Sequence, residues 1–265
     1  MIKNIRLFIN NNAESIALGE VVKESFLKEG FNISFDNFDL AVAIGGDGSF
    51  LRMVKASKFD SSPYYVGINS GTLGFMQEVK KNEIDKLITE IKEEKYKIEE
   101  IGIQETYINH GDNEEMFYSL NEIVIRDELL KVLRANILVN NDLLEKFIGD
   151  GVLIATSAGS TAHNLSYGGS IVYNDFSTLQ ITPIGPINSK AYQTLNNSVI
   201  IPSNMDIIIK PENEGIIMTI DGNNINYHNV NSIKTSVKDK KIKCLRFSHY
   251  NFPQKINEKL LSNRN

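Results

Sequence analysis

Hydrophobic and polar positions follow a regular alternation of strand and helix patterns along the first hundred residues. Apolar runs at residues 5–9, 40–44 and 64–68 predict buried strands, and the stretches between them predict helices. A further helix is predicted after Asn82, where apolar residues recur at helical spacing between charges. This alternation predicts an α/β domain over residues 1–100, a Rossmann-like parallel sheet flanked by helices.

The chain changes character after about residue 100. Short runs rich in β-branched residues, separated by Gly, Asn, Asp or Pro, predict a β-rich and sandwich-like domain over residues 101–247. Small residues and turn formers interrupt this pattern between 160 and 180, where a helix could begin. Near the end, Pro253 precedes a short amphipathic piece that predicts a terminal helix packed on a neighbouring element.

Composition narrows the class of protein. The chain has 265 residues, of which 42% are hydrophobic and 23% charged, so a folded globular protein is expected. With 28 Lys and Arg against 33 Asp and Glu, the net charge is −5, which argues against a nucleic-acid partner. The one basic run, 238–246, alternates with apolar residues and predicts a half-solvated strand.

Neither a disulfide nor a membrane anchor is predicted. Cys244 is the single cysteine and lies in an apolar run, which indicates a buried thiol. The N-terminus lacks the apolar core of a signal peptide, and no stretch approaches the roughly 20 apolar residues of a membrane span. We therefore expect a cytoplasmic protein with no membrane partner.

Several common chemical motifs are missing from the sequence. No glycine precedes a lysine, so the Walker phosphate loop is absent, and neither G-x-G-x-x-G nor G-x-S-x-G occurs. The four histidines are scattered without cysteine partners, which argues against a zinc site. Candidate chemistry is therefore concentrated in glycine clusters that carry acidic or hydroxyl residues.

The first cluster consists of Gly45, Gly46, Asp47, Gly48 and Ser49, between a predicted strand and a predicted helix. Such a turn presents backbone N–H groups to an anion, and the helix N-terminus adds its dipole, so a phosphate loop is predicted. Asp47 would repel a phosphate and is better explained as a general base or a metal-facing group. The alternative, in which Asp47 caps the helix at an ordinary turn, stays open.

Two further clusters contain carboxamide, hydroxyl or acidic groups. Residues 69–75 follow the next strand, so both glycine-rich loops are expected at the carboxyl edge of the sheet, where open α/β sheets bind ligands. In the β-rich part, Asn121 and Glu122 lie within an apolar strand pattern. Alternation predicts that they face opposite sides, so one points into the core and a surface position is an even alternative for the other.

The remaining clusters lie around strands of the β-rich part. Residues 149–151 and 158–162 flank an apolar strand, and their small and hydroxyl residues would let a base and a ribose approach closely. For the second of these clusters, a routine helix N-cap is the competing interpretation. Residues 221–223 are first of all a hairpin signal.

Taken in order, these blocks resemble one family. The series GGDG, NSGTLGF, Asn-Glu, GDG, GSTA with NLSYGGS, and a late DG is similar to that of bacterial NAD kinases over about residues 40–247. GGDG alone also occurs in diacylglycerol, sphingosine and phosphofructo-kinases, whereas the later blocks favour the NAD kinases. The resemblance implies an α/β domain, a β-rich NAD-binding domain, a site between them, and a tail of residues 248–265 that returns to the first domain.

The resemblance also implies a reaction and its residues. The γ-phosphoryl group of ATP passes, with a divalent cation expected to be Mg²⁺, to the 2′-hydroxyl of the adenosine ribose of NAD, giving NADP. Asp47 is implied as the proton acceptor, and the phosphate path is implied to follow the loop Gly45, Gly46, Gly48 and Ser49. The residues implied to bind NAD are Asp47, Gly48, Phe75, Asn121, Glu122, Asp150, Ala158, Thr161, Ala162, His163, Asn164, Leu165, Ser166 and Gly185. A homodimer or homotetramer whose subunits share sites is implied as well.

The chain departs from the family pattern in several places. Ser157 stands where relatives carry proline, and His163 stands where they carry a tyrosine near the nucleotide. Ile148 replaces an arginine before GDG, so a cationic contact to the 2′-phosphate of the product is missing, with Lys146 as a substitute by strand alternation. Met76 replaces a common aromatic residue. These departures concern affinity and product inhibition more than the type of reaction.

Two alternatives stay open at this stage. A lipid or sugar kinase of the GGDG group would need an apolar entrance, and no amphipathic membrane stretch is present. A catalytically inactive sensor of NAD or NADP is motivated by Ile148 and His163, although the retained Asp47 argues against it. No lysine or arginine stands out in the sequence as the γ-phosphate clamp.

Overall fold

The computed structural model describes residues 2–71, 74–248 and 250–262. The chain divides into two units, of which unit 1 comprises Met1–Ile101 with Lys241–Asn265 and unit 2 comprises Gly102–Lys240. In the described ranges, no helix is long and apolar enough to cross a membrane.

The helices and strands of the described residues have the following bounds. The helices are α1 (Ala13–Lys28), α2 (Asp47–Ala56), α3 (Ile84–Lys92), α4 (His163–Ser166) and α5 (Phe252–Ile256). A 3₁₀ turn, Ala158–Thr161, precedes α4, and a π-helical turn, Asn257–Leu261, continues α5. The strands are β1 (Asn4–Ile9), β2 (Asn32–Ile33), β3 (Leu40–Gly45), β4 (Tyr64–Asn69), β5 (Val79–Lys80), β6 (Tyr96–His110), β7 (Asn113–Ser119), β8 (Glu122–Asp127), β9 (Leu133–Val139), β10 (Asp142–Gly149), β11 (Gly151–Thr156), β12 (Thr178–Ile184), β13 (Val199–Pro202), β14 (Ile207–Pro211), β15 (Gly215–Ile220), β16 (Asn223–His228) and β17 (Val230–Phe247).

Unit 1 is built on a parallel sheet. Strand β1 pairs with β2 and β3, β3 pairs with β4, and β4 pairs with β5 and with the end of β17, all in parallel. Every residue of β3 is buried, as expected for a strand that is covered on both faces. Its apolar side chains share a core with those of α1 and α3. The predicted α/β domain is therefore confirmed.

The carboxyl ends of β3 and β4 lie side by side. Gly45 pairs with Asn69 in the parallel register, so the glycine-rich turn and the loop that begins after Asn69 leave the sheet from one edge, as predicted. Gly45 has a φ of +149°, and a Cβ atom there would lie 2.2 Å from Ser49 Oγ. This turn therefore requires glycine at its first position.

Unit 2 consists of two sheets that pack on each other. One sheet has the strand order β13-β12-β11-β8-β15-β16, and the other contains β10-β9-β14-β17, with β6 and β7 added beside β17. Buried side chains of both sheets form a common core, for example Ile154 and Ile181 of the first sheet and Ile137 and Ile209 of the second. Packing of two sheets face to face is that of a β-sandwich, which confirms the predicted β-rich domain.

Some strands differ from the sequence prediction. The apolar pattern does not predict β6, β10, β12 or β16, because many of their positions are polar or solvent-facing. The runs 230–237 and 241–247, which the pattern separates, form the single strand β17, and its last part belongs to unit 1. The interruption between 160 and 180 contains a helix of only four residues, α4.

The C-terminal segment packs within unit 1, as the resemblance implies. Helix α5 begins after Asn251, whose side chain accepts the N–H of Gln254 at 3.0 Å, and Pro253 lies in its first turn. Lys255 Nζ donates to the carbonyl oxygen of Gln77 at 2.8 Å. The tail therefore reaches the segment that precedes β5.

Candidate active site

The carboxylate of Asp47 is held by the backbone of the second glycine-rich loop. Asp47 is the first residue of α2, and Gly46 is its N-cap without any side-chain capping bond. The Asp47 Oδ2 atom accepts the N–H of Phe75 and Oδ1 accepts the N–H of Met76, both at 2.9 Å. We call these two N–H groups the backbone clamp. Because the carboxylate bonds to this loop, the alternative in which it caps its own helix is wrong.

Close approach of the two loops depends on Gly74. A Cβ atom at this position would lie 1.8 Å from Asp47 Oδ1 and 2.3 Å from Asp47 Cγ. A further contact joins the loops, since Gln77 Nε2 donates to the carbonyl oxygen of Gly46 at 2.7 Å. Gln77 is fully buried, while Asp47 is half-buried. The arrangement holds a reachable carboxylate in one position.

A cation that the sequence did not single out lies at the glycine-rich turn. Arg52, one turn into α2, donates from one terminal nitrogen to Asn10 Oδ1 at 2.5 Å and to Ser49 Oγ at 3.0 Å. Its side chain is otherwise exposed, and it passes close to Gly48. The signal that could have found it is its i+3 spacing from Ser49, which places both residues on the same face of the helix.

Phe75 and Met76 occupy different environments in the second loop. Phe75 is half-buried, and its ring lies 6.3 Å from that of Phe252 in α5, while Met76 is buried. Thr72 and Leu73 of this cluster lie outside the described residues. The predicted binding residue Phe75 is thus available at the same edge as Asp47.

In unit 2, Asp221 organises the Asn-Glu pair. Its carboxylate accepts the backbone N–H groups of Leu120 at 2.7 Å, Asn121 at 2.8 Å and Glu122 at 3.2 Å. Asp221 has a φ of +43° and Gly222 a φ of +81°, so these residues form the predicted hairpin turn between β15 and β16. Asp221 therefore forms the turn and also binds the backbone of residues 120–122. The hairpin signal in the sequence predicts only the turn.

Both residues of the Asn-Glu pair are buried, and the expected surface alternative is wrong. Asn121 and Glu122 are each 7% exposed. Strand alternation does not separate them, because β8 begins only at Glu122 and the preceding backbone bends towards Asp221. Among the described residues, Asn121 Oδ1 and Glu122 Oε2 have no hydrogen-bond partner. Two buried acceptors are thus available to a ligand.

Burial raises the pKa of Glu122 to about 8, and the negative charge of Asp221 adds to this increase. The backbone N–H of His163 donates to Glu122 and acts in the opposite direction. Strongly displaced pKa values are typical of functional sites, although structural networks also produce them. Glu122, whose pKa is raised, directly follows Asn121, whose Oδ1 atom is the second buried acceptor.

The turn that contains GSTA packs directly on Asn121. Thr156 Oγ1 donates to the Leu120 carbonyl at 2.6 Å and accepts the N–H of Gly159 at 3.0 Å. A Cβ atom at Gly159 would lie 2.0 Å from the Asn121 carbonyl oxygen, so only glycine permits this contact. The structure therefore brings the predicted residues of the 158–162 cluster together with the Asn-Glu pair.

Residues of the 3₁₀ turn and of the short helix α4 divide into exposed and buried positions. Ala158 and Asn164 are buried, Thr161, Ala162 and Leu165 are half-buried, and His163 and Ser166 are exposed. Asn164 is used by the protein itself, since its Oδ1 accepts from Thr182 Oγ1 at 2.6 Å. The structure thus assigns Asn164 an internal structural contact and leaves its neighbours accessible.

His163 replaces a tyrosine of the family pattern and lies on an aromatic neighbour. Its ring is 4.9 Å from that of Tyr167, and the Tyr167 hydroxyl accepts from Arg126. Desolvation lowers the pKa of His163, and the positive charge of Arg126 lowers it further. The imidazole is therefore neutral near pH 7 and offers an aromatic face rather than a charge.

Asp150 and Gly185 meet at the other end of β11. The Asp150 N–H donates to the Ile184 carbonyl at 2.9 Å, and a Cβ atom at Gly185, which has a φ of +53°, would lie 2.3 Å from Asp150 Oδ2. Glu122 pairs with Ala155, so roughly 17 Å of extended strand separates it from Asp150. The structure brings Asp150 and Gly185 to each other but not to Glu122.

A surface cavity of 360 Å³ in unit 2 contains the position where the family arginine is missing. Ile148 lines it together with Lys146, and Arg134 is the direct cross-strand partner of Ile148 on β9. The Arg134 guanidinium lies 5.3 Å from the centre of the Tyr192 ring. Positive charge is therefore present around Ile148, and Arg134 is a second source that the sequence did not indicate.

Comparison with known proteins follows the same two parts of the chain. Residues 9–96 match the model of the ATP-NAD kinase N-terminal domain, and residues 120–246 match that of the ATP-NAD kinase C-terminal domain. The NAD kinase of Finegoldia magna is 37% identical over 255 residues, 92% of this chain and 93% of that protein. The NAD kinase of Staphylococcus aureus is 31% identical over 231 residues, 86% of each protein.

Solved structures share the fold at lower identity. Yeast NADH kinase complexed with NADH superposes with a TM-score of 0.82 at 22% identity, over 100% of this chain and 89% of that one. An NAD kinase from Archaeoglobus fulgidus in complex with ATP gives a TM-score of 0.73 at 18% identity, over 97% of both chains. These likenesses establish the two-domain architecture.

Proposed function

Because this chain belongs to the ATP-NAD kinase family, its reaction is the phosphorylation of NAD with ATP, and we propose that Asp47 accepts the proton of the attacking hydroxyl. The acceptor group is the 2′-hydroxyl of the adenosine ribose, and the products are NADP and ADP. The observation that carries this proposal is the backbone clamp, which holds both oxygens of Asp47 at 2.9 Å.

The geometry at Asp47 fits the demands of phosphoryl transfer. This reaction depends mainly on positioning and on neutralisation of charge, and a general base contributes about 10²–10⁴-fold. Each carboxylate oxygen has more than one acceptor site, so Asp47 keeps capacity for a substrate proton while it is held by the clamp. The exposed Gly46 and Gly48 at the start of α2 offer N–H groups and a helix dipole to phosphate.

We assign the positive charge on the phosphate path to Arg52. Its guanidinium is anchored by Asn10 and Ser49, which leaves the remaining N–H groups free for a phosphate oxygen. A planar cation that is anchored in advance loses less entropy when it binds an anion than a mobile lysine does.

The binding of NAD is assigned to the clusters of unit 2. The free acceptors of Asn121 and Glu122 suit the hydroxyl groups of a ribose, and the accessible Thr161, Ala162 and His163 lie on the adjoining turn. Ser166 and Leu165 add further contacts in unit 2, and Asp150 with Gly185 forms a separate contact region there. Phe75 of unit 1 is assigned to NAD binding as well. Asn164 supports this turn from inside, through Thr182.

The divalent cation is assigned to the substrate side of the reaction. In the part of the chain that the structure describes, no three His, Cys, Asp or Glu side chains lie together as a metal cluster. Mg²⁺ in such reactions keeps several waters and is held largely by nucleotide phosphates, so a single nearby carboxylate such as Asp47 fits this mode. When bound, the cation supplies neutralisation of phosphate charge.

We further propose that the protein works as a homo-oligomer, a dimer or a tetramer. The separation of the Asp150 and Gly185 pair from Glu122 within one chain supports this proposal. Two binding regions at opposite ends of one strand can serve two neighbouring copies of the chain. Analytical ultracentrifugation with and without NADP tests the oligomeric state.

The lipid or sugar kinase alternative is set aside, because both family domains match and the chain covers 93% of an NAD kinase. The remaining question is whether Asp47 performs the assigned step. Purified protein is incubated with NAD, ATP and Mg²⁺, and NADP is measured with an NADP-specific dehydrogenase, beside the Asp47→Asn variant. We expect NADP from the wild type, with about 10²–10⁴-fold lower turnover in the variant and similar NAD affinity by calorimetry. Near-normal turnover of Asp47→Asn would show that the base assignment is wrong.

A further inference from the structure

One buried ammonium group of the C-terminal segment contacts the loop that holds Asp47. Lys255 in α5 is 7% exposed. Its Nζ atom lies 2.8 Å from the Gln77 carbonyl oxygen, 3.5 Å from the Phe75 carbonyl oxygen and 3.2 Å from Glu78 Oε2. The carbonyl groups of this loop thus point to the tail, whereas its N–H groups form the backbone clamp on Asp47.

A single peptide group links the ammonium to the catalytic carboxylate. The carbonyl oxygen of Phe75 and the N–H of Met76 belong to the same planar unit, so fixing one end fixes the direction of the other. Lys255 contacts the carbonyl end, and Asp47 Oδ1 accepts the N–H end at 2.9 Å. A cation on the carbonyl also polarises the peptide and strengthens the N–H as a donor.

The ammonium itself is anchored by a buried ion pair. Glu78 is 3% exposed, and its second oxygen accepts the N–H of Phe247 at 3.2 Å. Arg246 Nη1 lies 3.5 Å from Glu78 Oε2, and Arg246 also pairs with Glu99 at 2.5 Å. Buried charges persist only where partners and hydrogen bonds compensate desolvation, so this cluster holds Lys255 in one position.

The electrostatic balance at Lys255 includes Asp47. Burial lowers the pKa of Lys255, and the nearby positive charge of Arg246 lowers it further. The negative charges of Glu78 and Asp47 oppose this decrease. The ammonium therefore interacts with the carboxylate that it helps to orient, in addition to the loop between them.

We infer that Lys255 is a positioning residue for the reaction: it orients the backbone clamp and thereby the carboxylate of Asp47. The inference rests on the proposed role of Asp47 as proton acceptor. It gives the C-terminal tail a task in turnover, because the tail supplies the cation that the loop requires. Misplacement of a reacting group by about 1 Å can lower the rate by about 10²-fold.

The first experiment compares Lys255→Met with Lys81→Met. Methionine keeps the unbranched shape and most of the length of the side chain and removes the charge, and Lys81 is an exposed lysine close in sequence to the same loop. We expect Lys255→Met to lower kcat by about 10–100-fold and to change the Kd of NAD by no more than about threefold. A purely structural role would instead lower the fraction of active molecules, which titration of NAD sites measures. Unchanged kcat in folded Lys255→Met overturns the inference.

The second experiment places the substitution in the Asp47→Asn background. If Lys255 acts through Asp47, the double variant is expected to be no more than about threefold slower than Asp47→Asn alone. A full additional loss in the double variant would show that Lys255 acts by another route. Near-normal turnover of Asp47→Asn itself refutes the proposed base, whereas an inactive Asp47→Asn with an unaffected Lys255→Met refutes only the positioning role.

A third measurement is independent of activity. Hydrogen exchange of the Phe75 and Met76 amides is expected to accelerate in Lys255→Met and to stay unchanged in Lys81→Met. Should Lys255→Met not fold, Lys255→Arg keeps the charge beside Glu78 but cannot reproduce the 2.8 Å contact with the Gln77 carbonyl. Faster exchange with lower kcat in Lys255→Arg supports the inference, and faster exchange with wild-type kcat contradicts it.

Discussion

The carboxylates that we assign to function in the two units have opposite environments. In unit 1, both oxygens of Asp47 accept backbone N–H groups at 2.9 Å. In unit 2, Glu122 is buried beside Asp221, and its Oε2 atom lacks a partner among the described residues. A satisfied carboxylate is held in one place, whereas an unsatisfied one carries an energetic cost that a ligand can remove.

This difference corresponds to two different tasks. A base must be in place before the reaction begins, because small displacements lower the rate strongly. A binding site gains specificity when its buried polar groups are satisfied only by the correct ligand. We therefore expect substitutions around Asp47 to change turnover, and substitutions around Glu122 to change stability and NAD affinity.

Of the substitutions that test this comparison, Gly74→Ala is expected to have the largest effect on turnover, because it displaces the Asp47 carboxylate without removing it. The new Cβ atom would lie 1.8 Å from Asp47 Oδ1, so the carboxylate must leave the backbone clamp. We expect kcat to fall by about 10²-fold while NAD binding to unit 2 is retained. Gly71→Ala is the matched control, because among the described residues a Cβ there would meet only Glu14 Oε2, at 3.9 Å. Equal kcat values for the two variants would contradict the comparison.

The next prediction is that Glu122→Gln changes the pH dependence of stability. The folded protein holds a proton on Glu122 up to a pKa of about 8, whereas the unfolded chain releases it near pH 4.5. Stability is therefore lost as pH rises through this interval, and the loss is complete above pH 8. We expect Glu122→Gln to be more stable than the wild type by about 4–5 kcal/mol at pH 8.5, with a much smaller difference at pH 5.

Urea denaturation at both pH values measures this difference, and the exposed Glu114→Gln is the control. The amide lacks the charge that burial disfavours, so the pH dependence should vanish from the variant. NAD affinity is expected to fall in the same variant, because the free acceptor of Glu122 is changed. A stability difference that is the same at pH 5 and pH 8.5 would show that Glu122 carries no buried charge penalty.

The same contrast explains which parts of the molecule could be predicted from the sequence. Local and strongly patterned features were accessible: the buried strand β3, the glycine turn around Asp47, and the shared edge of the two loops. Long-range partners were not, because the sequence around Arg52 and Lys255 carries no signal of Asn10 or Gln77, the distant groups that they contact. Their contacts lie 42 and 178 residues away in sequence, at Asn10 and Gln77.

The sequence predictions that were incomplete or wrong in unit 2 have physical causes as well. The sequence around Asp221 predicts a turn, and the turn alone explains why an aspartate is present. The sequence therefore gives no indication that Asp221 also accepts three backbone hydrogen bonds from residues 120–122. Alternation misplaced Asn121, because the strand begins one residue later. The sequence of β17 predicts two strands, because polar residues at 238–240 interrupt its apolar pattern. In the structure, the strand continues through these residues.

A smaller effect is expected from Arg52→Gln, which sharpens the assignment of unit 1 to phosphate. Glutamine retains hydrogen-bonding capacity but removes the cation, so the Michaelis constant for ATP should rise about tenfold, with NAD affinity unchanged. Lys55→Gln removes an exposed cation from the same helix and serves as the control. If both variants raise the Michaelis constant for ATP equally, the increase comes from the loss of positive charge in general and not from the loss of a specific Arg52 contact. Titration at two ionic strengths separates these cases.

The smallest effect is expected from His163→Tyr, which restores the residue of the family pattern in unit 2. The neutral imidazole lies 4.9 Å from the Tyr167 ring, and a tyrosine would extend this aromatic surface beside the accessible turn. An added aromatic contact is worth about 0.5–1.5 kcal/mol, so we expect the Kd of NAD to fall about 2–10-fold. His228→Tyr, at an exposed position on β16, should leave it unchanged. Because the proposed base lies in unit 1, we expect kcat to stay the same in both variants. A change in kcat without a change in Kd would contradict the division of tasks.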